Sequence, residues 1–101
     1  MLPPTRHRRA VVLRLRGSLV TFGRVRAPDA FEDCAANVAV EIQLQRHGRW
    51  TELRSDVTDE NARYRTRVPD RAKPYRAVAP RSVINGGSDV CRRAVSRVRI
   101  G

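Results

Sequence analysis

The chain has 101 residues, 21 of them lysine or arginine against 10 aspartate or glutamate, for a formal net charge of +11. That length provides for one domain with one core, and no stretch approaches the roughly 20 apolar residues of a membrane-spanning helix. The charge is almost entirely arginine, Lys73 being the one lysine, and a surface of that kind attracts nucleic acid, anionic head groups and acidic cell-wall polymers alike.

Residues 1–9, with Pro3-Pro4 and the polar run Arg6-His7-Arg8-Arg9, read as a flexible basic leader, leaving residues 10–101 as the folded domain. From Val11 to Arg16 apolar residues alternate with arginine, the period of a half-buried strand, with Val11, Leu13 and Leu15 inward. Gly17-Ser18 turns the chain into a second strand, Leu19 to Arg26. Its frame is ambiguous: Gly23 and Val25 fit one face, Val20 and Phe22 the other, which implies a bulge or burial on both sides. Ala27 to Asp33, with Pro28 and three carboxylates, suits one short helical turn.

Val38, Val40, Ile42 and Leu44 then alternate with Ala39, Glu41, Gln43 and Gln45 in the clearest strand of the chain. His47-Gly48 is a tight hairpin turn leading into Trp50–Arg54. Asp56 to Asn61 is a polar turn, and Ala62 to Val68 a fifth strand with Tyr64, Thr66 and Val68 inward. Pro69-Asp70-Arg71-Ala72 turns again; Pro74 to Ala79 is a sixth strand, Asn85 to Ser88 a flexible loop, and Val90 to Ile100 the last strand. The expected fold is therefore all-β, a seven-stranded antiparallel β-sandwich. Trp50, Tyr64 and Tyr75 are assigned to its core, and Phe22 is the candidate for an exposed ring.

Cys34 and Cys91 are far apart and form no CxxC pair. In a small β domain they suggest a disulfide in an oxidising compartment; the alternative is two buried free thiols in a cytosolic protein. The basic, proline-bearing start is no export signal. Set against the cysteines, it leads us to expect a secreted protein whose export signal lies upstream of Met1, and a cytoplasmic one if Met1 is the true start.

The segment Thr58-Asp59-Glu60-Asn61-Ala62-Arg63-Tyr64 resembles the T-D-x-N-G-x-Y turn of Ig-like and prealbumin-like sandwiches, among them carboxypeptidase-regulatory-like domains and collagen-adhesin B-repeats. Gly23-Arg24-Val25 is similar to their early G-x-V strand, and Pro74-Tyr75-Arg76-Ala77-Val78 to their late G-x-Y-x-V strand with Pro74 in the glycine position. With Cys34, Trp50 and Cys91, the set looks most like the small secreted sandwich domains of actinobacteria. The resemblance implies a spacer, stalk or appended binding module. Two departures stand out. Ala62 replaces the usual turn glycine, so the turn must change type or strain an alanine. Lys73 lies in a turn, not in an early strand, so no isopeptide bond is carried over.

If the second and fifth strands are neighbours, their outward rows gather Arg24, Arg26, Arg63, Arg65 and Arg67 into one anion-binding patch, which Arg14, Arg16, Arg97 and Arg99 could extend. Guanidinium groups suit phosphate and carboxylate because they are planar, multi-donor and always charged. The competing explanation is a solvated face whose charges keep the domain soluble, with GC-rich codons favouring arginine over lysine. Asp29, Glu32 and Asp33, like Asp56, Asp59 and Glu60, offer oxygen ligands, but neither spacing matches a calcium loop and turn formation accounts for both sets. His7 and His47 have no metal-ligand spacing with the cysteines. No nucleophile has a recognisable base and no phosphate-binding glycine loop is present. The expectation is a monomeric, non-enzymatic extracellular module without cofactor or metal, or a basic module binding nucleic acid or an acidic cell-envelope polymer.

Overall fold

Around residues 11–15 and 40–44, strand formation follows the alternation in the sequence. The structure, a computed structural model, describes residues 2–17, 19–69 and 73–100. Along it run β1 (Thr5–His7), β2 (Ala10–Arg16), β3 (Val20–Arg26), β4 (Ala39–Arg46), β5 (Arg49–Val57), β6 (Arg63–Arg67), β7 (Pro74–Ala79), β8 (Ser82–Ile84), β9 (Asp89–Cys91), β10 (Ala94–Val95) and β11 (Arg99–Ile100). Short 3₁₀ turns lie at Glu32–Cys34, overlapping the end of the expected helical segment, and at Asn85–Gly87, in the expected loop. The protein is all-β, and its two larger sheets are antiparallel. Ser18 of the first expected turn, and most of the turn at Pro69–Ala72, lie outside the described residues.

β3 is the middle strand of the sheet β2-β3-β6. Pairing places Leu13, Gly23 and Tyr64 in one row and Leu15, Thr21 and Thr66 in the next. Because successive strand residues alternate faces, Val11, Leu13, Thr21, Val25 and Tyr64 share one side, and all are buried. The frame of β3 is thereby settled: Thr21, Gly23 and Val25 face the core and Phe22 faces outward. Burial is two-sided at the start of the strand, where Val20 on the outer row is buried as well.

The second sheet runs β10-β7-β4-β5, with β11 also on β7. Ile42 pairs Ala77 and Leu44 pairs Tyr75, which aims Val40, Ile42, Leu44, Tyr75 and Ala77 at the same interior. One core thus takes Val11, Leu13, Val25 and Tyr64 from the first sheet and these residues from the second. Burying each large aliphatic or aromatic chain there contributes roughly 1.5–3 kcal/mol. The β4–β5 hairpin closes through His47 (φ 51°) and Gly48 (φ 75°), the two left-handed positions of a type I′ turn. Trp50 departs from expectation: it is half-buried, outside the core, with the Arg76 guanidinium 4.4 Å from its ring centroid.

The supposed leader is also corrected. β1 pairs in parallel with β9, Thr5 against Asp89 and His7 against Cys91, in a small sheet β1-β9-β8. His7 and Arg9 are 6% and 8% exposed. The expected last strand is broken into β9, β10 and β11. Between the last two, the Ser96 hydroxyl accepts the Ala77 N–H at 2.8 Å, and its own N–H donates to the Ala77 carbonyl at 2.8 Å. A side chain thus takes over a ladder bond where the register slips by a residue.

The Thr58–Tyr64 turn positions β6. The Thr58 hydroxyl donates to the Ala35 carbonyl at 2.6 Å and accepts the Val38 N–H at 2.9 Å. The Asp59 carboxylate accepts the Asn61 and Arg63 N–H groups at 2.8 and 2.9 Å, an arrangement that suits aspartate at a turn. Ala62 adopts the left-handed position at φ 62°, a strain that costs an alanine about 1–2 kcal/mol.

Candidate anion-binding face

Across the outer side of β2-β3-β6, the register lines up Val12, Arg24 and Arg63, then Arg14, Phe22 and Arg65, then Arg16, Val20 and Arg67. The structure therefore brings all five expected residues, Arg24, Arg26, Arg63, Arg65 and Arg67, onto one exposed face, and Arg14 and Arg16 join them. The three strands contain no aspartate or glutamate. Among the described residues, none of these seven guanidinium groups is ion-paired to a carboxylate. Arg24 stands directly opposite Arg63, and like charges in that relation destabilise a sheet.

Phe22 divides the face. Its ring is half-buried with the Arg16 guanidinium 4.7 Å from the centroid, a cation–π contact. On one side a groove of about 590 Å³ is lined by Val12, Arg14, Phe22, Gly23, Arg24, Arg26 and Arg63. On the other, a groove of about 380 Å³ runs to Asp56 and Asp59. Their carboxylates take backbone N–H groups of β6, including that of Arg65 from Asp56 at 3.0 Å. The face is thus wholly basic toward β2 and edged with acid toward β5.

Arg99 lies elsewhere: on β11, it donates from Nε to the Leu13 carbonyl at 3.3 Å. Arg97 is exposed outside any strand. On the outer side of the second sheet Arg76 is satisfied locally, donating to Gln43 Oε1 at 2.8 Å and stacking on Trp50. Its pKa is lowered by burial first and by the neighbouring Arg93 charge second.

Below the faces, the chain is tied together at one end. Cys34 and Cys91, both fully buried, stand at disulfide distance with Cα atoms 5.4 Å apart. Beside them the Arg9 guanidinium is surrounded by main-chain carbonyls. Nε donates to Arg92 O at 2.9 Å, Nη1 to Cys34 O at 3.4 Å, and Nη2 to Pro80 O and, at 3.4 Å, to Ala79 O and Cys91 O. Burial lowers its pKa, yet arginine has enough margin to stay charged.

His7 makes a second tie. Nδ1 lies 2.6 Å from Asp29 Oδ2 and Nε2 lies 2.8 Å from Asp89 Oδ1, with Phe31 stacked on the ring at 3.9 Å and 7°. With a carboxylate at each nitrogen the ring is an imidazolium donating both ways. The hydrogen bond to Asp89, then that to Asp29, raises the His7 pKa. Asp29 is lowered by His7, and Asp89 by Asn85 and then His7.

The sequence alone gives His7 and Arg9 no role. The readable signal was a histidine and an arginine in a segment with a proline pair but no low-complexity tract, and that signal is weak. His47 is exposed in its turn. Among the described residues no group of three His, Cys, Asp or Glu side chains could hold a metal ion, and no helix is long and apolar enough to cross a membrane. Comparison with protein-family models, curated proteins and solved structures yielded no match to this chain.

Proposed function

We propose that this protein is a non-enzymatic, disulfide-tied extracellular module, an Ig-like or prealbumin-like sandwich, that contacts an anionic polymer through the outer side of β2-β3-β6. The observation that carries this reading is the opposition of Arg24 and Arg63 amid five further arginines on three strands without a carboxylate. Stability alone disfavours such a pair, whereas a polyanion gains from it by releasing counterions. The Cys34–Cys91 pair supports an oxidising compartment.

The test exploits that opposition. Arg24→Glu should raise stability by about 0.2–1 kcal/mol, because it turns a repelling cross-strand pair into an attracting one. The same change should lower the salt concentration that elutes the protein from heparin or DNA resin. Arg65→Glu with Arg67→Glu should lower it further. Unchanged elution of these variants would remove the face from consideration. A second reading, a passive structural module, is favoured by the arginines used internally, Arg16 on Phe22 and Arg99 on the Leu13 carbonyl; it predicts retention no stronger than that of any protein of equal charge.

A further inference from the structure

A second set of arginines meets on the small sheet. Parallel pairing of β1 with β9 places Arg6 beside Val90, and β8 places Val83 on the other side. Val90 is 5% exposed and forms the floor of a cleft of about 230 Å³, whose remaining lining is Arg6, Arg81, Arg92 and Arg93. An adjoining cleft of about 300 Å³ is lined by Arg8, Arg9, Arg92 and Arg93. No carboxylate lines either one. Among the described residues, Arg6, Arg81, Arg92 and Arg93 have no side-chain hydrogen bond or ion pair.

The backbone that presents these groups is held firmly. Arg92 follows Cys91 directly; its N–H donates to the His7 carbonyl at 2.9 Å and its carbonyl accepts Arg9 Nε at 2.9 Å. Arg81 follows Pro80, whose carbonyl is another Arg9 acceptor. Crowding cations without an internal counter-charge is unfavourable, and Arg93 already disfavours the charge on Arg76. A concave site with several guanidinium donors on a firmly held backbone and no competing acceptor suits a compact, multiply charged oxyanion.

We propose that this cleft binds a phosphate-type group, one small enough to lie over Val90 and be gripped by Arg6, Arg81, Arg92 and Arg93 together. The site is separate from the arginine face of β2-β3-β6 and does not depend on it. Its ligand is a free diphosphate or the terminal phosphate of a larger molecule.

The full chain would be titrated at low ionic strength with inorganic pyrophosphate, and with a short single-stranded oligonucleotide carrying or lacking a 5′-phosphate, while amide shifts are followed by NMR. Saturable shifts centred on residues 81 and 90–93 are expected with pyrophosphate, with the phosphorylated oligonucleotide, or with both, and the pattern identifies the source of the group. Arg81→Gln with Arg93→Gln should weaken that binding at least tenfold, with an unchanged circular dichroism spectrum and melting curve. Arg24→Glu should leave it intact while reducing heparin retention, so the two readings fail independently. Shifts confined to the outer face of β2-β3-β6, no saturable binding of either phosphate ligand, or equal affinity in the double variant would overturn the proposal.

Discussion

The Tyr64 hydroxyl donates a 2.7 Å hydrogen bond to the Val12 carbonyl, reaching across β3 over the bare Cα of Gly23. A Cβ at Gly23 would fall on the Val12 carbonyl itself and come within 3.0 Å of the Tyr64 oxygen. Glycine is required here by close approach, since any side chain would push the Val12 carbonyl and the Tyr64 hydroxyl apart. Burial pushes the Tyr64 phenol well above its ordinary pKa, so it stays a donor.

Gly23→Ala should therefore destabilise by about 1–3 kcal/mol through overpacking, with loss of the tyrosine bond on top. Tyr64→Phe should cost only about 0.5–1.5 kcal/mol, the net worth of one hydrogen bond. Urea denaturation of both variants checks the order; a harmless Gly23→Ala would refute the close approach.

Arg9 joins the end of β7, both cysteine segments and Arg92 through their carbonyls. Arg9→Met should lower stability by roughly 3 kcal/mol, since several buried acceptors lose their donor at about 1–3 kcal/mol each. Arg9→Lys should recover only a part, because an ammonium lacks the planar fork that spans these acceptors. Thermal melting of the two variants gives the comparison.

The His7 clamp makes stability depend on pH in a definite direction. The folded-state pKa of His7 is raised, so its contribution is complete below the ordinary value of 6.5 and is lost as pH rises through the higher folded value. Asp29 and Asp89 are lowered, so theirs is complete above the ordinary value of 3.8 and is lost as pH falls through the lower folded values. The stability difference between wild type and His7→Gln should be greatest between those two ordinary values and shrink on either side. Urea midpoints measured across pH would show it; a flat difference would remove the imidazolium.

The cysteines close a loop with a sequence separation of 57 residues. In the chain-entropy model such a link contributes about 4 kcal/mol. Cys34→Ser with Cys91→Ser should lower stability by an amount of that order. Alkylation of the unreduced, denatured protein should label neither cysteine by mass spectrometry, and two labelled thiols would refute the link.

Much of the sheet structure could be read from residue order. The alternation of Val11, Leu13 and Leu15 with Arg14 and Arg16, and of Val40, Ile42 and Leu44 with Glu41 and Gln43, marks a dry and a wet side because a strand has a period of two. His47-Gly48 marks the hairpin because a tight turn needs two left-handed residues. Trp50 misled: a large ring is usually core, but here it lies on an outer face under Arg76. β1 misled as well, since Thr5-Arg6-His7 carries no apolar alternation and its partner, β9, lies more than 80 residues away (His7–Asp89 separation 82).

Residue order by itself determined that this chain makes strands, which of their sides are basic, and that two cysteines were available to join. Those are local properties, set by the backbone period and by side-chain chemistry. Only the tertiary structure decided that Arg24 would face Arg63, that Arg9 would find five carbonyls, that His7 would lie between Asp29 and Asp89, and that Arg6 would meet Arg81, Arg92 and Arg93. Each of these joins residues from separate segments, and nothing in a single segment specifies what the others bring to meet it.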